Sequence, residues 1–172
     1  VNPQTKTILL TSIPRDSYVT LHSFGADDKL THSGIYGVEE TVSTVEDWLG
    51  YDMNYYIKAN FSMLVDIVDA IDGVDVYSDF EFKSSVADFY YNEGENHLSG
   101  MAALYFARER KAFEDEDIER GRNQQKVLKA MINKTTQSKV ILTKYTQLLD
   151  AVEDEMQTNM SEKDISSLVK MQ

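Results

Sequence analysis

The stretch NYYIKANFSMLVDIVDAIDGVDVY, residues 54–77, decides the fold. Tyr55-Tyr56-Ile57-Lys58-Ala59 is rich in aromatic and β-branched residues and predicts a strand. Asn60 or Ser62 then offers a side-chain oxygen to cap a helix. Phe61, Leu64, Val65, Val68 and Ile71 recur at helical steps and share one face. Gly73 stops that helix, and Val74-Asp75-Val76-Tyr77 predicts the next strand. This strand–helix–strand order is the mark of a βαβ unit and of an α/β fold.

Upstream, Thr7–Ile13 is short and apolar and predicts a buried strand of the same central sheet, ended by Pro14, which lacks a donor for the ladder. Arg15 and Asp16 then lie at a strand's C-terminal end, where open α/β sheets bind ligands. Residues 22–34 read as a loop. Val38, Val42, Val45 and Leu49 predict a helix over 38–49, stopped by Gly50. Downstream, residues 78–96 read as a polar flap or loop with aromatics. Ser99 or Gly100 starts a short helix through Leu104, and Tyr105-Phe106-Ala107 leads into Arg108-Glu109-Arg110. The charged segment 111–116 has no periodicity. Helices are predicted over 117–136 and 138–156, and Ser161 with Asp164 forms a capping box for a last one. With no repeat and no low-complexity linker, the reading is one domain over residues 1–172.

The chain has no cysteine, hence no disulfide, no thiolate metal site and no cysteine nucleophile. No apolar run is long enough to cross a bilayer, so any membrane anchor is expected outside this sequence. The net charge of −12 opposes nucleic-acid binding, which depends on neutralising phosphates. Net charge does not describe a pocket, however. The five arginines are unevenly spread: Arg108, Arg110, Arg120 and Arg122 fall within fifteen residues, and Arg15 stands apart.

Residues 106–125, FARERKAFEDEDIERGRNQQ, carry the chemistry. Successive helical residues turn by about 100°, so Asp117, Arg120 and Gln124 continue the apolar stripe of Val127, Leu128, Met131 and Ile132 at its N-terminal end, while Arg122 points about 200° away from Arg120. If Arg108 and Arg110 are extended, both face one side. Three inward-facing arginines beside a helix N-terminus suit a phosphate, which the guanidinium fork grips bidentately. Asp117 and Arg120 also read as a local helical ion pair with the other arginines solvated, an alternative that the sequence leaves open.

The ordered set SIPRDSYVTL (12–21), KLTHSGIYG (29–37), residues 54–77, NHLSGMAALYFARER (96–110) and DIERGRNQQKVL (117–128) resembles the LytR-CpsA-Psr family, most of all its streptococcal capsule-attachment members. The resemblance implies a three-layer α/β/α sandwich with a mixed central sheet. It implies a phosphotransferase that moves a glycopolymer, capsular polysaccharide or teichoic-acid-like, from a polyprenyl-pyrophosphate carrier to peptidoglycan. Arg15, Arg108, Arg110, Arg120 and Gln124 fall on positions that bind the pyrophosphate, and Asp117 and Arg120 on catalytic ones. Mg²⁺ is the implied cofactor. Its aspartates belong to a strand expected upstream of Val1, so the domain reads as N-terminally truncated and no metal ligand is assigned within it. The implied place is the extracellular face of the cytoplasmic membrane of a Gram-positive bacterium. A lipid tunnel lined by Leu64, Val68, Val127, Leu128 and Met131 is expected to shield the carrier's tail.

A non-catalytic polyprenyl-phosphate binding module is the rival reading; a transcriptional regulator is disfavoured by the acidic charge and the lack of a basic recognition helix. Lys29 and His32 read as pocket-rim residues or a solvated loop pair, and His97 as a cap or surface residue. Glu114-Asp115-Glu116 reads as solvated loop rather than a metal cluster, since consecutive residues do not converge on one ion. Trp48, Phe61, Phe80, Phe82, Phe89, Tyr90 and Tyr91 divide between core, flap and tunnel wall in ways the sequence does not separate.

Overall fold

A computed structural model describes residues 2, 4, 5, 7–135, 148, 156–161, 163, 164 and 167. The chain forms two compact units, Val1–Lys58 with Gln157–Gln172, and Ala59–Met156. Of the predicted helix over 138–156, the described residues are Leu148, which is helical, and Met156, which lies in a strand; the rest lies outside the described residues.

In the first unit, β1 (Tyr18–Thr20) pairs antiparallel with β2 (Asp27–Lys29), with Val19 opposite Asp28. The one-turn helix α1 (Leu30–Ser33) follows, so the expected loop over 22–34 is structured in its second half. Helix α2 (Val38–Leu49) matches its expected bounds and ends at Gly50, whose φ of 70° is the left-handed conformation a glycine cap adopts without strain. The residues that α2 buries most are polar. Glu40 accepts from the Ser23 N–H at 3.1 Å and from the Ser23 hydroxyl, and Thr44 Oγ1 accepts from the His22 N–H at 3.1 Å. They fasten the 21–26 loop to the helix. Strand β3 (Ile57–Ala59) pairs with the later β8 (Met156–Thr158). Ser161 and Asp164 form the expected reciprocal capping box.

The expected buried strand at Thr7–Ile13 is not formed. Thr7 bridges back to Asn2, residues 8–13 carry no strand, and Leu9 is 86% exposed. An apolar run expresses only a capacity for burial; a strand also needs a neighbour to complete its ladder.

In the second unit, Asn60 caps α3 (Phe61–Ala70) by accepting from the Met63 N–H at 2.8 Å. Asp72 and Gly73, at φ 59° and 79°, turn the chain into β4 (Val74–Ser78). β4 pairs antiparallel with β7 (Gly94–Leu98), and Val74, Val76 and Ser78 point inward in period two. Among the described residues β3 and β4 do not share a sheet, so the strand–helix–strand order does not close a βαβ unit there. The sequence pattern records element order and not pairing.

The expected flap over 78–96 contains β5 (Phe82–Lys83) and β6 (Tyr90–Tyr91), an antiparallel pair, besides β7. Burial of aromatics organises it. Phe82 and Tyr91 lie 4.7 Å apart between ring centroids, and both pack on Phe106. Tyr91 donates its hydroxyl to the Ala102 carbonyl at 2.8 Å. Burial, then the nearby Glu109 carboxylate, pushes that phenol above its ordinary value.

Helix α4 (Gly100–Arg108) runs a full turn beyond the expected Leu104, and α5 (Glu116–Thr135) follows. α4 buries Gly100, Ala102, Ala103, Leu104, Phe106 and Ala107 against α3, α5 and β7. At its start Asp69 of α3 accepts the Gly100 N–H at 2.7 Å. A Cβ on Gly100 would meet the Val65 carbonyl oxygen and stand 2.8 Å from Asp69 Oδ2. Gly100→Ala is therefore expected to destabilise the fold by about 1–3 kcal/mol, because the obstacle is backbone that cannot swing aside. Urea unfolding of the two chains checks this, and equal midpoints would show that α3 can retreat freely.

Candidate functional site

The ends of α4 and α5 bring two of the second unit's arginines, Arg110 and Arg120, together. Arg108 is the last residue of α4, and Glu109 leaves the helix with extended backbone, φ −63° and ψ 138°. Arg110 thus stands just beyond the helix, facing the first turn of α5. Its Nε lies 3.3 Å from Glu116 Oε2 and its Nη1 3.7 Å from Asp117 Oδ1. Arg120 Nη2 reaches the same Asp117 Oδ1 at 3.2 Å. The Asp117–Arg120 helical pair is real, but it is not only local: one carboxylate oxygen draws two guanidinium groups that are ten residues apart in sequence. Arg120 is the more enclosed, with 21% of its side chain exposed.

Arg108 is exposed and its Cζ lies 4.7 Å from the ring centroid of Phe61, a cation–π contact at the start of α3. The expectation of three inward-facing arginines therefore reduces to one largely enclosed, one half-exposed and one exposed group. Gln124 is exposed, and Leu128 is 44% exposed. The inward stripe of α5 runs instead through Glu119, Asn123 and Val127. These sit one position before Arg120, Gln124 and Leu128, a rotation of about 100° from the expected face. The error has a physical cause: Glu119 counts as solvated by type, yet it is buried against its own cations. Its carboxylate meets Arg122 at 3.0 Å and Lys126 at 3.8 Å, and Lys126 also holds Asp79 at 2.6 Å. Asn123, 1% exposed, carries a buried Nδ2 with no hydrogen-bond partner among the described residues.

Of the expected tunnel residues, Val68 and Val127 belong to the core cluster, and Leu64 and Met131 pack on it half-buried. Phe82 and Tyr91 are core, Phe89 is half-buried, and Trp48, Phe61, Phe80 and Tyr90 are largely exposed. His97 is an exposed strand residue paired with Asp75 across β4–β7 at 2.6 Å.

Arg15 belongs to the first unit, on an exposed turn, with its Nε 3.4 Å from Asp16 Oδ2. Lys29 Nζ holds the other oxygen of Asp16 at 2.9 Å, and that hydrogen bond is the main reason the carboxyl sits below its ordinary value. His32 pairs with Asp28 at 2.8 Å one helical turn away.

Among the described residues no three His, Asp or Glu groups come together to hold a metal. Asp117, the central carboxylate, already faces two guanidinium groups, which disfavour a cation there. The described residues around Asp117 therefore offer no ligand set for Mg²⁺.

Glu109 was not legible as a site residue. It is 1% exposed and accepts backbone N–H groups of Ser85 (2.6 Å), Arg110 (2.9 Å) and Ala112 (3.2 Å). Its place between two arginines is the only sequence signal: where the arginines turn outward, the residue between them turns inward.

The second unit thus brings two guanidinium groups to one carboxylate where α4 gives way to α5. The LytR_cpsA_psr family model matches residues 1–172, and the chain belongs to that family. It is 36% identical over 171 residues to the polyisoprenyl-teichoic acid–peptidoglycan teichoic acid transferase TagU of Bacillus mycoides, covering 99% of this chain and 55% of that protein. The chain thus spans about half the length of the curated relatives it matches. A solved Streptococcus agalactiae protein, gbs0355, superposes with a TM-score of 0.87 at 29% identity, over 98% of this chain and 62% of that one. A structure of TagT bound to LI-WTA superposes with a TM-score of 0.73 at 30% identity, over 92% of this chain and 60% of that one. These neighbours agree with the α/β class expected from the sequence.

Burial raises the Glu109 carboxyl, but its bonds from Ser85, Arg110 and Ala112 outweigh burial and hold it below the ordinary glutamate value of 4.5. Its stabilising contribution is therefore fully present above that value and is lost as pH falls through the lower folded value. Wild type should keep a constant stability advantage over Glu109→Gln between about pH 6 and 7, and that advantage should shrink on acidification below the ordinary value. Urea midpoints across pH for both chains check this; an advantage that persists undiminished into strong acid would overturn it.

Proposed function

We propose that this chain is the catalytic portion of a glycopolymer transferase that takes its donor from a polyprenyl-pyrophosphate carrier and delivers it to peptidoglycan. The observation that carries the reading is the pair of guanidinium groups, Arg110 and Arg120, drawn to a single carboxylate oxygen of Asp117. Two cations that converge on one oxyanion suit the doubly charged diphosphate, since phosphoryl transfer needs mainly positioning and charge neutralisation. The naming of TagU relatives as teichoic acid transferases, and the TagT structure bound to LI-WTA, support it.

In the proposed reaction an acceptor sugar hydroxyl attacks the phosphorus that carries the glycan. The new O–P bond forms as the bond to the bridging oxygen breaks, and polyprenyl phosphate leaves. Arg110 and Arg120 balance the charge gathering on the phosphoryl oxygens. As the diphosphate takes over these guanidinium groups, Asp117 is released to accept the hydroxyl's proton. Arg108, Arg15 and Gln124 are carried as pyrophosphate-binding candidates by their motif positions. The Mg²⁺ implied by the same resemblance is proposed as the diphosphate's companion, with ligands not assigned to this chain. For the tail, shielding is proposed to fall on the part-exposed Leu64, Leu128 and Met131. The glycopolymer is teichoic-acid-like or capsular, and the site of action is the outer face of the cytoplasmic membrane. Among the described residues no helix is long and apolar enough to cross a membrane.

Arg120→Ala is expected to lower turnover of a polyprenyl-pyrophosphate-linked glycan about a hundredfold or more with an unchanged circular dichroism spectrum. Arg120→Lys should rescue little, because an ammonium does not reproduce the planar fork. Binding of a long polyprenyl pyrophosphate should exceed that of inorganic pyrophosphate. Wild-type turnover in Arg120→Ala would remove the catalytic assignment, and equal affinity for the two ligands would remove the lipid carrier.

A further inference from the structure

α4 ends where the two arginines of Arg108-Glu109-Arg110 emerge, and the residue between them is the most deeply buried carboxylate among the described residues of the second unit. A buried carboxylate is expensive unless its lone pairs are satisfied. Glu109 accepts from three backbone N–H groups and also from the Ser85 side chain. Oε1 accepts from Arg110 at 2.9 Å and Ala112 at 3.2 Å, which closes the turn that follows α4. Oε2 accepts from Ser85 at 2.6 Å, which ties this turn to the segment after β5. That segment is itself anchored, since Phe82 of β5 packs on Tyr91 and Phe106 in the core and the Ser84 N–H bonds to the Phe89 carbonyl at 2.9 Å.

We propose that Glu109 is a positioning residue for the pyrophosphate site, its carboxylate locking the backbone of Arg108–Ala112 so that Arg110 is presented to Asp117 and Arg120. The inference rests on the transferase reading above. Glu109 does not touch the diphosphate. With Glu109 turned into the core between the β5–β6 hairpin and the chain leaving α4, Arg110 is committed to the opposite side. The guanidinium of Arg110 hangs on a long, rotamer-rich side chain, so a fixed backbone beneath it removes part of the ordering cost of binding. Both carboxylate oxygens are needed. A carboxamide has one acceptor oxygen and turns its NH₂ toward either the Ser85 N–H or the Arg110 and Ala112 N–H groups. The hairpin tether or the turn is then lost.

The test is a double-mutant cycle on the 172-residue chain, read as affinity for inorganic pyrophosphate in the presence of Mg²⁺ and normalised to the folded fraction. Glu109→Gln alone is expected to weaken binding about tenfold, and to weaken it less than about twofold when Arg110 is already alanine, because Glu109 acts through Arg110. Glu109→Asp keeps the charge but is one methylene short of spanning both partners, and is expected to lose affinity in the same way. Equal effects of Glu109→Gln with and without Arg110 would make Glu109 a general core support and overturn the proposal. So would wild-type affinity in both variants, and so would loss of the fold in both. If Arg110→Ala and Arg120→Ala themselves leave pyrophosphate binding unchanged, the failure lies with the site reading. Weakened binding in those two variants with additive Glu109 effects removes only the positioning role.

Discussion

The second unit is governed by one helix with almost no solvated face. α4 buries six of its nine residues, and four of those six are glycine or alanine. Small side chains let α3, α5 and β7 approach closely, but a helix enclosed in this way cannot leave its terminal backbone groups to water. Each end is closed by an acid from elsewhere or by its own exit turn. Asp69 and Ser99 take N–H groups at the start, and beyond the C-terminal end Glu109 takes those of the turn that follows. N–H groups at the start of α4 are thus satisfied by side chains, the Tyr105 carbonyl near its end accepts the Glu109 N–H, and Glu109 pins the turn beyond, so both ends become rigid points.

The candidate chemistry sits at one of these points. Arg110 leaves the turn that Glu109 closes and meets Asp117 and Arg120 on the first turns of α5. An acidic first turn, Glu116, Asp117 and Glu119, favours the helix dipole at that end. It also keeps the arginines in check, so positive charge is gathered without a strongly basic surface. That reconciles a chain of net charge −12 with a proposed anion site. In the proposed site a diphosphate would have to compete with Asp117 and Glu116 for the guanidinium groups, which favours a ligand of higher charge over a monoanion.

Much was legible without coordinates. The bounds of α2, its glycine stop, the Asn60 and Ser99 caps, β4, and the start of α5 follow from local rules, because capping and amphipathic periodicity act over a single turn. Of the three arginines expected to face inward, Arg110 and Arg120 meet at Asp117, while Arg108 ends α4 exposed. What was missed was non-local. Thr7–Ile13 has strand composition and no strand. Residues 78–96 look polar, yet they bury Phe82 and Tyr91 and supply three strands. The inward face of α5 is rotated by one residue because Glu119 is buried and paired with the exposed Arg122 and with Lys126.

The sequence by itself determined where α2, α3 and α5 lie and where α4 starts, which residues carry charge, and the family to which the chain belongs. These depend on neighbours within a few positions or on the ordered motifs themselves. Tertiary structure decided strand pairing, the inward face of α5 and the burial of Glu109. Each of these depends on a partner distant in sequence: Gly94–Leu98 for β4, Asp79 for Lys126, and Ser85 for Glu109. A charged side chain reads as solvated until the groups that satisfy it are known, and those groups are assembled only by the fold.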